Sequence, residues 1–143
     1  MSAFISRFAI AAVLMHAASA AFANDIVGRW ETGESRVDIY ACGDLLCGRI
    51  AELDEPLDEN GKPKLDVNNP DTALRSRPIL GMDLIAGFSR AGKRKWEDGT
   101  IYDPRDGKTY KCVIKLQRNG SLKVRGYVGI PLLGKTVVWT RAE

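Results

Sequence analysis

Residues 24–143 consist of short runs in which apolar and polar side chains alternate, and no segment keeps the three-to-four-residue period of an amphipathic helix. The alternation is clearest where Tyr110, Cys112, Ile114 and Leu116 share one face of a run and the intervening residues the other. Such a pattern is typical of antiparallel strands with one buried and one solvated face. It predicts eight strands, over residues 26–32, 35–42, 46–53, 79–88, 93–101, 109–117, 121–129 and 134–141.

The turn between the sixth and seventh strands provides a test of register. A two-residue turn at residues 119–120 would place Leu116 opposite Lys123 on one face. A three-residue loop at 118–120 with a left-handed Gly120 keeps apolar residues opposite one another. We favour this loop, because a slip of one residue would turn every buried side chain outward. The predicted pairs are then Leu116–Leu122, Ile114–Val124 and Lys115–Lys123.

One long irregular stretch, residues 54–78, is rich in Asp, Asn, Pro and Lys. A loop of this length in a small domain is usually functional or mobile. A short helix is predicted within it at residues 72–76, with Asp71 as its cap. Eight strands suffice to close a small barrel, which is either filled by its own side chains or holds one small ligand. The pattern thus predicts an all-β antiparallel barrel and leaves the state of its interior open.

The first 23 residues have the three parts of an export signal. A short segment with one positive charge precedes the apolar run 8–18, and small residues follow at Ala21 and Ala23. Cleavage near Ala23 is predicted, with a cut after Ala20 as the alternative. The apolar run is about half of the roughly 20 residues that span a bilayer. We therefore expect a periplasmic or secreted protein with no transmembrane segment, in which residues 24–143 form one domain.

Cleavage of this signal changes the net charge and the catalytic residue types of the remaining chain. Its removal takes Arg7 and His16 with it, and leaves 120 residues with a net charge of +2 and no histidine. A Ser-His-Asp triad, a Cys-His dyad and imidazole metal ligands are then excluded. The small net charge does not favour a nucleic-acid partner. We expect no cofactor, no metal and no catalytic residue.

Two segments match or approach familiar binding motifs, but the residues around them do not fit the corresponding sites. Residues 129–136 match the phosphate-loop pattern GxxxxGK[ST], but that loop needs a following helix, and residues 137–141 read as a strand. We predict a turn there and no nucleotide. A calcium loop centred on Gly61 would place Pro56 and Val67 at ligand positions, so calcium is not expected.

The three cysteines divide into a pair and a single thiol. A four-residue hairpin loop would place Cys42 and Cys47 directly opposite each other, and a disulfide is predicted in an oxidising compartment. A two-residue turn at 43–44 would separate them diagonally and weaken that prediction. Cys112 lies on a buried face and is expected to be inert. The four-residue loop also predicts the pairs Ile39–Ile50 and Ala41–Gly48.

The first and last strands of a barrel are neighbours. Trp30, after Gly28, can therefore close the barrel floor while Arg141 stacks across it, an arrangement that we interpret as structural. A basic stripe on one wet face could touch anionic lipid or polysaccharide, although such stripes are more often simply solvated. It comprises Lys111, Lys115, Lys123, Arg125 and Arg118.

Several motifs occur in order along the whole mature chain: IVGRW (26–30), CGRI (47–50), DVNNPD (66–71), RPILG (77–81), GTIYDP (99–104), GKTY (107–110), GKT (134–136) and WTR (139–141). The Gly-x-Trp start and the closing Arg resemble the lipocalin and fatty-acid-binding superfamily in a reduced form. Taken together, the motifs resemble the bacterial domain-of-unknown-function family 2147. The resemblance implies an exported, lipocalin-like β-barrel without an established activity.

Three functions are compatible with these features. The first is a non-enzymatic binding protein that holds a small apolar or amphipathic ligand in the barrel, with the long loop as a lid. The second is a periplasmic interaction or envelope-stress module with a filled barrel. The third is a carboxylate-dependent glycan hydrolase, for which Asp66, Asp71, Asp103 and Asp106 single out no pair. The candidate ligand-binding residues are Asp66, Asn69, Arg77, Trp96, Tyr102 and Asp103.

Overall fold

The computed structural model describes residues 25–143, so the predicted export signal and its cleavage site lie outside the described residues. Within this range no helix is long and apolar enough to cross a membrane. The elements are β1 (Gly28–Glu31), β2 (Ser35–Cys42), β3 (Leu45–Leu53), η1 (Thr72–Leu74), β4 (Asp83–Gly92), β5 (Lys95–Asp103), β6 (Lys108–Leu116), β7 (Leu122–Tyr127), η2 (Pro131–Leu133) and β8 (Lys135–Arg141), where η denotes a 3-10 helix.

Each strand pairs antiparallel with the next, and β1 also pairs with β8, which closes an eight-stranded barrel. The predicted all-β barrel is confirmed. Residues 25–27 and the β2–β3, β4–β5 and β6–β7 turns lie at one end, called here the floor. The other four connections lie at the opposite end, called the mouth.

The predicted boundaries agree with seven strands to within two residues, but β4 begins four residues later than expected. Residues 79–82 form a turn instead, in which Gly81 takes a positive φ of 84°. The Gly81 amide donates to the Ile50 carbonyl, and the Ile79 amide donates to the Lys64 carbonyl. Because of these bonds, residues 79–82 form the end of the long loop and not the start of β4.

The β6–β7 register is the predicted one, with Leu116 opposite Leu122, Ile114 opposite Val124 and Gly120 at a φ of 87°. The Cys42–Cys47 disulfide is also confirmed.

The predicted β2–β3 register is wrong. The turn consists of two residues, 43–44, so that Ile39 lies opposite Gly48, Val37 opposite Ile50, and Ala41 opposite Leu46. The cysteines are therefore diagonal neighbours, yet their Cα atoms are only 5.9 Å apart. A left-handed Gly43, at a φ of 66°, permits the tight turn, and tight hairpins twist strongly enough to bring diagonal positions together.

The barrel is filled by its own side chains from the floor to beyond its middle. Trp30, Trp96, Phe88 and Ile85 are at most 1% exposed. Bulky side chains occupy the space above inward-facing glycines: Ile85 packs over Gly48 and the Phe88 ring over Gly99, where a Cβ would clash. Cys112 is buried in the same cluster, and burial raises the pKa of its thiol to about 12.

A clasp between the first and last strands closes the floor. The Arg141 guanidinium lies 4.1 Å from the centre of the Trp30 ring and donates to the carbonyls of Val27 and Asp25, each at 2.9 Å. The Trp30 indole donates to the Ile26 carbonyl at 2.8 Å. Glycine is favoured at position 28, because its φ of 133° is strained for other residues and a Cβ would lie 2.8 Å from the Arg141 guanidinium.

Candidate functional site

The long loop, residues 54–82, is organised around one buried carboxylate. Asp66 is 0% exposed. Its Oδ1 accepts the Tyr102 hydroxyl at 2.6 Å, and its Oδ2 accepts the Asn69 amide at 2.8 Å and the Arg77 Nε at 2.9 Å. These four residues are called the Asp66 cluster.

The cluster favours an ionised carboxylate. Burial opposes ionisation of Asp66, but the hydrogen bonds from Tyr102, Asn69 and Arg77 outweigh it, so the pKa lies below its ordinary value. Burial and the bond to Asp66 raise the pKa of Tyr102 to about 12. The Asp66 acceptors are therefore used by the protein itself.

Register places this cluster outside the barrel wall. Ile101 and Tyr110 are opposite each other and face inward, so the next pair, Tyr102 and Thr109, faces outward. The Asn68 amide donates to the carbonyls of Pro104 and Arg105 at 3.1 Å. The centre of the loop is thus fixed against the outer face of β5 and the β5–β6 turn, beside the mouth.

The short helix predicted in this loop is present as η1. Its cap is Asp71, whose Oδ1 accepts the Ala73 amide at 3.0 Å. The Arg75 Nε donates to the Asn69 carbonyl at 2.7 Å, which joins η1 to the Asp66 cluster.

The six candidate ligand-binding residues occupy three places. Asp66, Asn69, Arg77 and Tyr102 form the cluster just described. Trp96 is buried in the core opposite Ile114, with Arg90 over its ring. Asp103 lies at the mouth rim, at the end of β5. Contact of any of the six with a ligand stays a prediction.

Charged side chains join opposite sides of the rim. Arg105 donates to both oxygens of Asp103 and forms an ion pair with Glu34 at 3.3 Å. Glu34 belongs to the β1–β2 turn and Arg105 to the β5–β6 turn, which are diametrically placed in an eight-stranded barrel. Burial opposes ionisation of Asp103, but the hydrogen bonds and charge of Arg105 and the charge of Lys135 hold its pKa below the ordinary value.

Between the rim and the filled core, inward-facing apolar side chains are only partly covered, and this level of the barrel is called here the mouth cup. Val137 is opposite Val124 and therefore faces inward, yet it is 43% exposed whereas Val124 is 2% exposed. Ile101 and Tyr110 also face inward at this level and are only half-buried. The Tyr110 hydroxyl donates to Asp106, and this bond raises the pKa of Tyr110.

Sequence reasoning assigned none of the cup residues to a site. The alternation placed Tyr110 on a buried face. The same period of two puts Val137 and Lys135 on the face of Trp139, so these positions could have been identified from the sequence. Lys135 lies opposite Gly126, at the edge of the cup. What the alternation could not indicate is that these inward positions stay open to solvent.

Metal ligation has no support in the described part of the chain. Residues 25–143 contain no group of three or more His, Cys, Asp or Glu side chains arranged to hold an ion. The Cys42–Cys47 disulfide indicates an oxidising, exported compartment, where such bonds persist.

Comparisons with known proteins agree with this architecture. No match to the chain was found among curated protein sequences. A solved structure, protein HP1028 from the human pathogen Helicobacter pylori, which is described as belonging to the lipocalin family, is similar with a TM-score of 0.71. It is 27% identical, and the match covers 82% of each chain. Lipocalin barrels typically hold one small ligand. Since the family profile described as "Uncharacterized protein conserved in bacteria (DUF2147)" matches residues 28–141, which contain all eight strands, the chain belongs to that family.

Proposed function

We propose that this protein is an exported, non-enzymatic binding protein that takes a small amphipathic ligand in the mouth cup. One observation carries the proposal: Val137 faces the barrel axis but remains 43% exposed above a filled core. An inward apolar side chain open to solvent is a place where a ligand can remove water, which stabilises the complex by about 25 cal/mol per Å² of apolar surface.

The cup and its rim suit the two halves of such a ligand. An apolar segment would contact Val137, Ile101 and the Tyr110 ring. A polar head group would meet the rim, where Lys135 forms no ion pair with any described residue, whereas Arg105 is already paired. An anionic head group is therefore favoured.

The filled core limits the ligand's size. Phe88 and Trp96 are each 1% exposed and occupy the space in which a long chain would lie. We therefore propose that only a short apolar segment enters the barrel, at its mouth, whereas the hypothesis from the sequence was a small ligand held in the barrel.

Catalysis by carboxyl groups has little physical support. A glycosidase needs a general acid whose pKa is raised. The carboxyl groups with clearly shifted pKa values, Asp38, Asp66 and Asp103, are all shifted downward. The Asp66 oxygens are also held by three protein donors.

The test is ligand binding by purified protein. Native mass spectrometry should detect a co-purified small molecule, and a fluorescent fatty-acid probe should bind and be displaced by it. Val137→Asp should weaken probe binding by at least about tenfold, because a charge in the cup disfavours an apolar segment.

The control is Val138→Asp. Val138 is the next residue of β8, points outward and is 54% exposed, so this change should leave binding unaltered. Absence of both a ligand and probe binding would refute the proposal, and so would an equal loss in the two variants.

A second candidate, recognition of a protein partner by the long loop, rests on a different observation. The loop is held in place by the Asp66 cluster, yet it exposes Val67 by 63%, Leu57 by 52% and Leu80 by 50%. A photo-cross-linker at position 67 or 80, but not at Lys93 near the floor, should then capture one defined envelope protein. Loss of that adduct in Asp66→Asn would tie recognition to the loop's fixed shape.

A further inference from the structure

We propose that the β7–β8 loop and the basic outer face of β6 and β7 together form a membrane-docking surface for anionic lipid bilayers. The inference concerns the outside of the barrel and does not depend on a ligand in the mouth cup.

The loop presents an apolar tip at the mouth end, defined here as residues 128–133. Its bulky side chains are among the most exposed of the molecule: Leu132 by 82%, Leu133 by 76%, Val128 by 70% and Ile130 by 53%. Contiguous exposed aliphatic side chains of this kind mark interaction or membrane sites in soluble proteins.

Hydrogen bonds from Arg125 hold the tip in shape. Arg125 on β7 donates from Nε to the Pro131 carbonyl at 2.7 Å and from Nη2 to the Leu132 carbonyl at 3.2 Å. Its Nη1 donates to the Thr136 hydroxyl at 2.7 Å. These bonds satisfy the Pro131 and Leu132 carbonyl groups, so the aliphatic side chains can enter an apolar phase without carrying these two carbonyls in unpaired.

Charge is segregated along the chain in a way that favours an anionic surface. Residues 107–142 contain eight Lys or Arg and no Asp or Glu, whereas residues 24–106 contain 12 basic and 17 acidic residues. Lys111, Lys115 and Lys123 alternate with the inward positions and so project from the outer face of β6 and β7.

The lysines of this face are available for a partner. Among the described residues, the ammonium groups of Lys111, Lys115 and Lys123 form no ion pair, whereas Arg29, Arg36, Arg77, Arg90 and Arg105 all do. The two acids that flank the adjacent β5–β6 turn are engaged: Asp103 is bonded to Arg105, and Asp106 to Tyr110.

An apolar tip with the unpaired Lys111 beside its base, opposite Tyr127, matches a bilayer with anionic head groups, and Lys115 and Lys123 extend the basic face toward the floor. Stable peripheral binding generally combines insertion of apolar side chains with electrostatic attraction, and this surface supplies both. A second copy of the chain fits less well, because a symmetric contact would bring two basic faces together.

The test is flotation of purified protein, produced from the full sequence, with phosphatidylcholine vesicles that contain or lack phosphatidylglycerol. We expect binding only to the phosphatidylglycerol vesicles, weakened by added salt. Leu132→Ser with Leu133→Ser should reduce the partition coefficient by roughly tenfold or more. Lys108→Gln with Lys111→Gln, at the mouth end of β6, should reduce it by roughly fivefold per charge.

Matched controls lie elsewhere on the surface. Leu57→Ser removes a 52% exposed leucine from the long loop, and Lys62→Gln with Lys93→Gln removes two exposed cations outside residues 107–142. Both should leave partitioning unchanged. All proteins share one N-terminus, so residues 1–24 cannot produce a difference between them, and circular dichroism verifies that each variant is folded.

Three outcomes would overturn the proposal. The unaltered protein could fail to bind phosphatidylglycerol vesicles, or the tip and cation variants could bind as well as the controls. Sedimentation could also reveal a dimer that the two leucine substitutions abolish, which would assign the tip to contact between copies.

Discussion

At the scale of single residues, Asp66 shows how a buried charge is tolerated. A carboxylate without solvent is strongly destabilising unless hydrogen bonds replace the lost water. Tyr102, Asn69 and Arg77 provide three such bonds, and they come from the loop itself and from β5. One side chain therefore fixes an irregular segment to the barrel wall.

Asp66→Asn should destabilise the protein by about 1.5–3 kcal/mol, the usual contribution of hydrogen bonds to a charged group. The amide would lose the charge and replace one of the two acceptor oxygens with a donor. Urea unfolding would measure the change. Asp71→Asn is the control: it alters an exposed helix cap at which Asn serves as well as Asp, so the midpoint should stay unchanged. Similar midpoints for both variants would contradict this role of Asp66.

The pKa of Asp66 makes its contribution dependent on pH. Because that pKa is lowered in the folded state, the stabilisation is complete above the unfolded value of about 4 and disappears as pH falls through the folded value. The difference in unfolding free energy between the unaltered protein and Asp66→Asn should therefore be constant near neutral pH and shrink below about pH 4. Urea titrations across this range test it, and a constant difference down to strongly acidic pH would contradict it.

At the scale of elements, a disulfide cross-links the β2–β3 hairpin next to its turn. The disulfide joins diagonal positions across a two-residue turn, so the loop that it closes is very short. A cross-link stabilises mainly by restricting the unfolded chain, and a short loop restricts it little.

Cys42→Ser with Cys47→Ser should therefore lower the unfolding free energy by at most about 2 kcal/mol, and the barrel should still fold. Thermal unfolding followed by circular dichroism measures the change. Reduction of the unaltered protein should give the same shift, since Cys112 is already a free, buried thiol. Failure of the double variant to fold would show that the bond does more than close this turn.

At the scale of the whole molecule, the barrel is a solid core with a shallow open end. Inward glycines make room for large neighbours, and the clearest case is Gly99 under the Phe88 ring. The Arg141–Trp30 clasp joins the first and last strands at the floor, and at the mouth cup the inward-facing Val137 meets solvent.

Gly99→Ala should destabilise the barrel by about 1–3 kcal/mol, because its Cβ would overlap the Phe88 ring. Gly92→Ala is the control, since nothing lies within 4 Å of a Cβ built there. Combining Gly99→Ala with Phe88→Leu should cost less than the sum of the two single changes, as expected for groups that share one space. If the midpoint change of the double variant equals the sum of the two single changes, the core has room for the added methyl group beside Phe88.

Most of the fold was predictable from local pattern. Alternation with a period of two located seven of the eight strands, and the need to keep Leu116 and Ile114 on the buried face determined the β6–β7 register. The same reasoning failed at β2–β3, because Cys42 and Cys47 suggested a longer loop than a left-handed Gly43 requires. It also failed at the start of β4, where apolar residues 79–82 belong to a turn bonded to β3.

The sequence by itself determined the strand content, the antiparallel barrel, the disulfide and a chemistry without histidine in residues 24–143, since these follow from periodicity and residue type. Only the tertiary structure decided that Asp66, Asn69, Arg77 and Tyr102 bind one another outside the wall, and that the interior is filled up to the mouth cup. The physical reason is that periodicity indicates which face a side chain takes. Which side chains meet across the barrel depends on closure, strand stagger and the path of the long loop, and those are set by contacts between residues far apart in the chain.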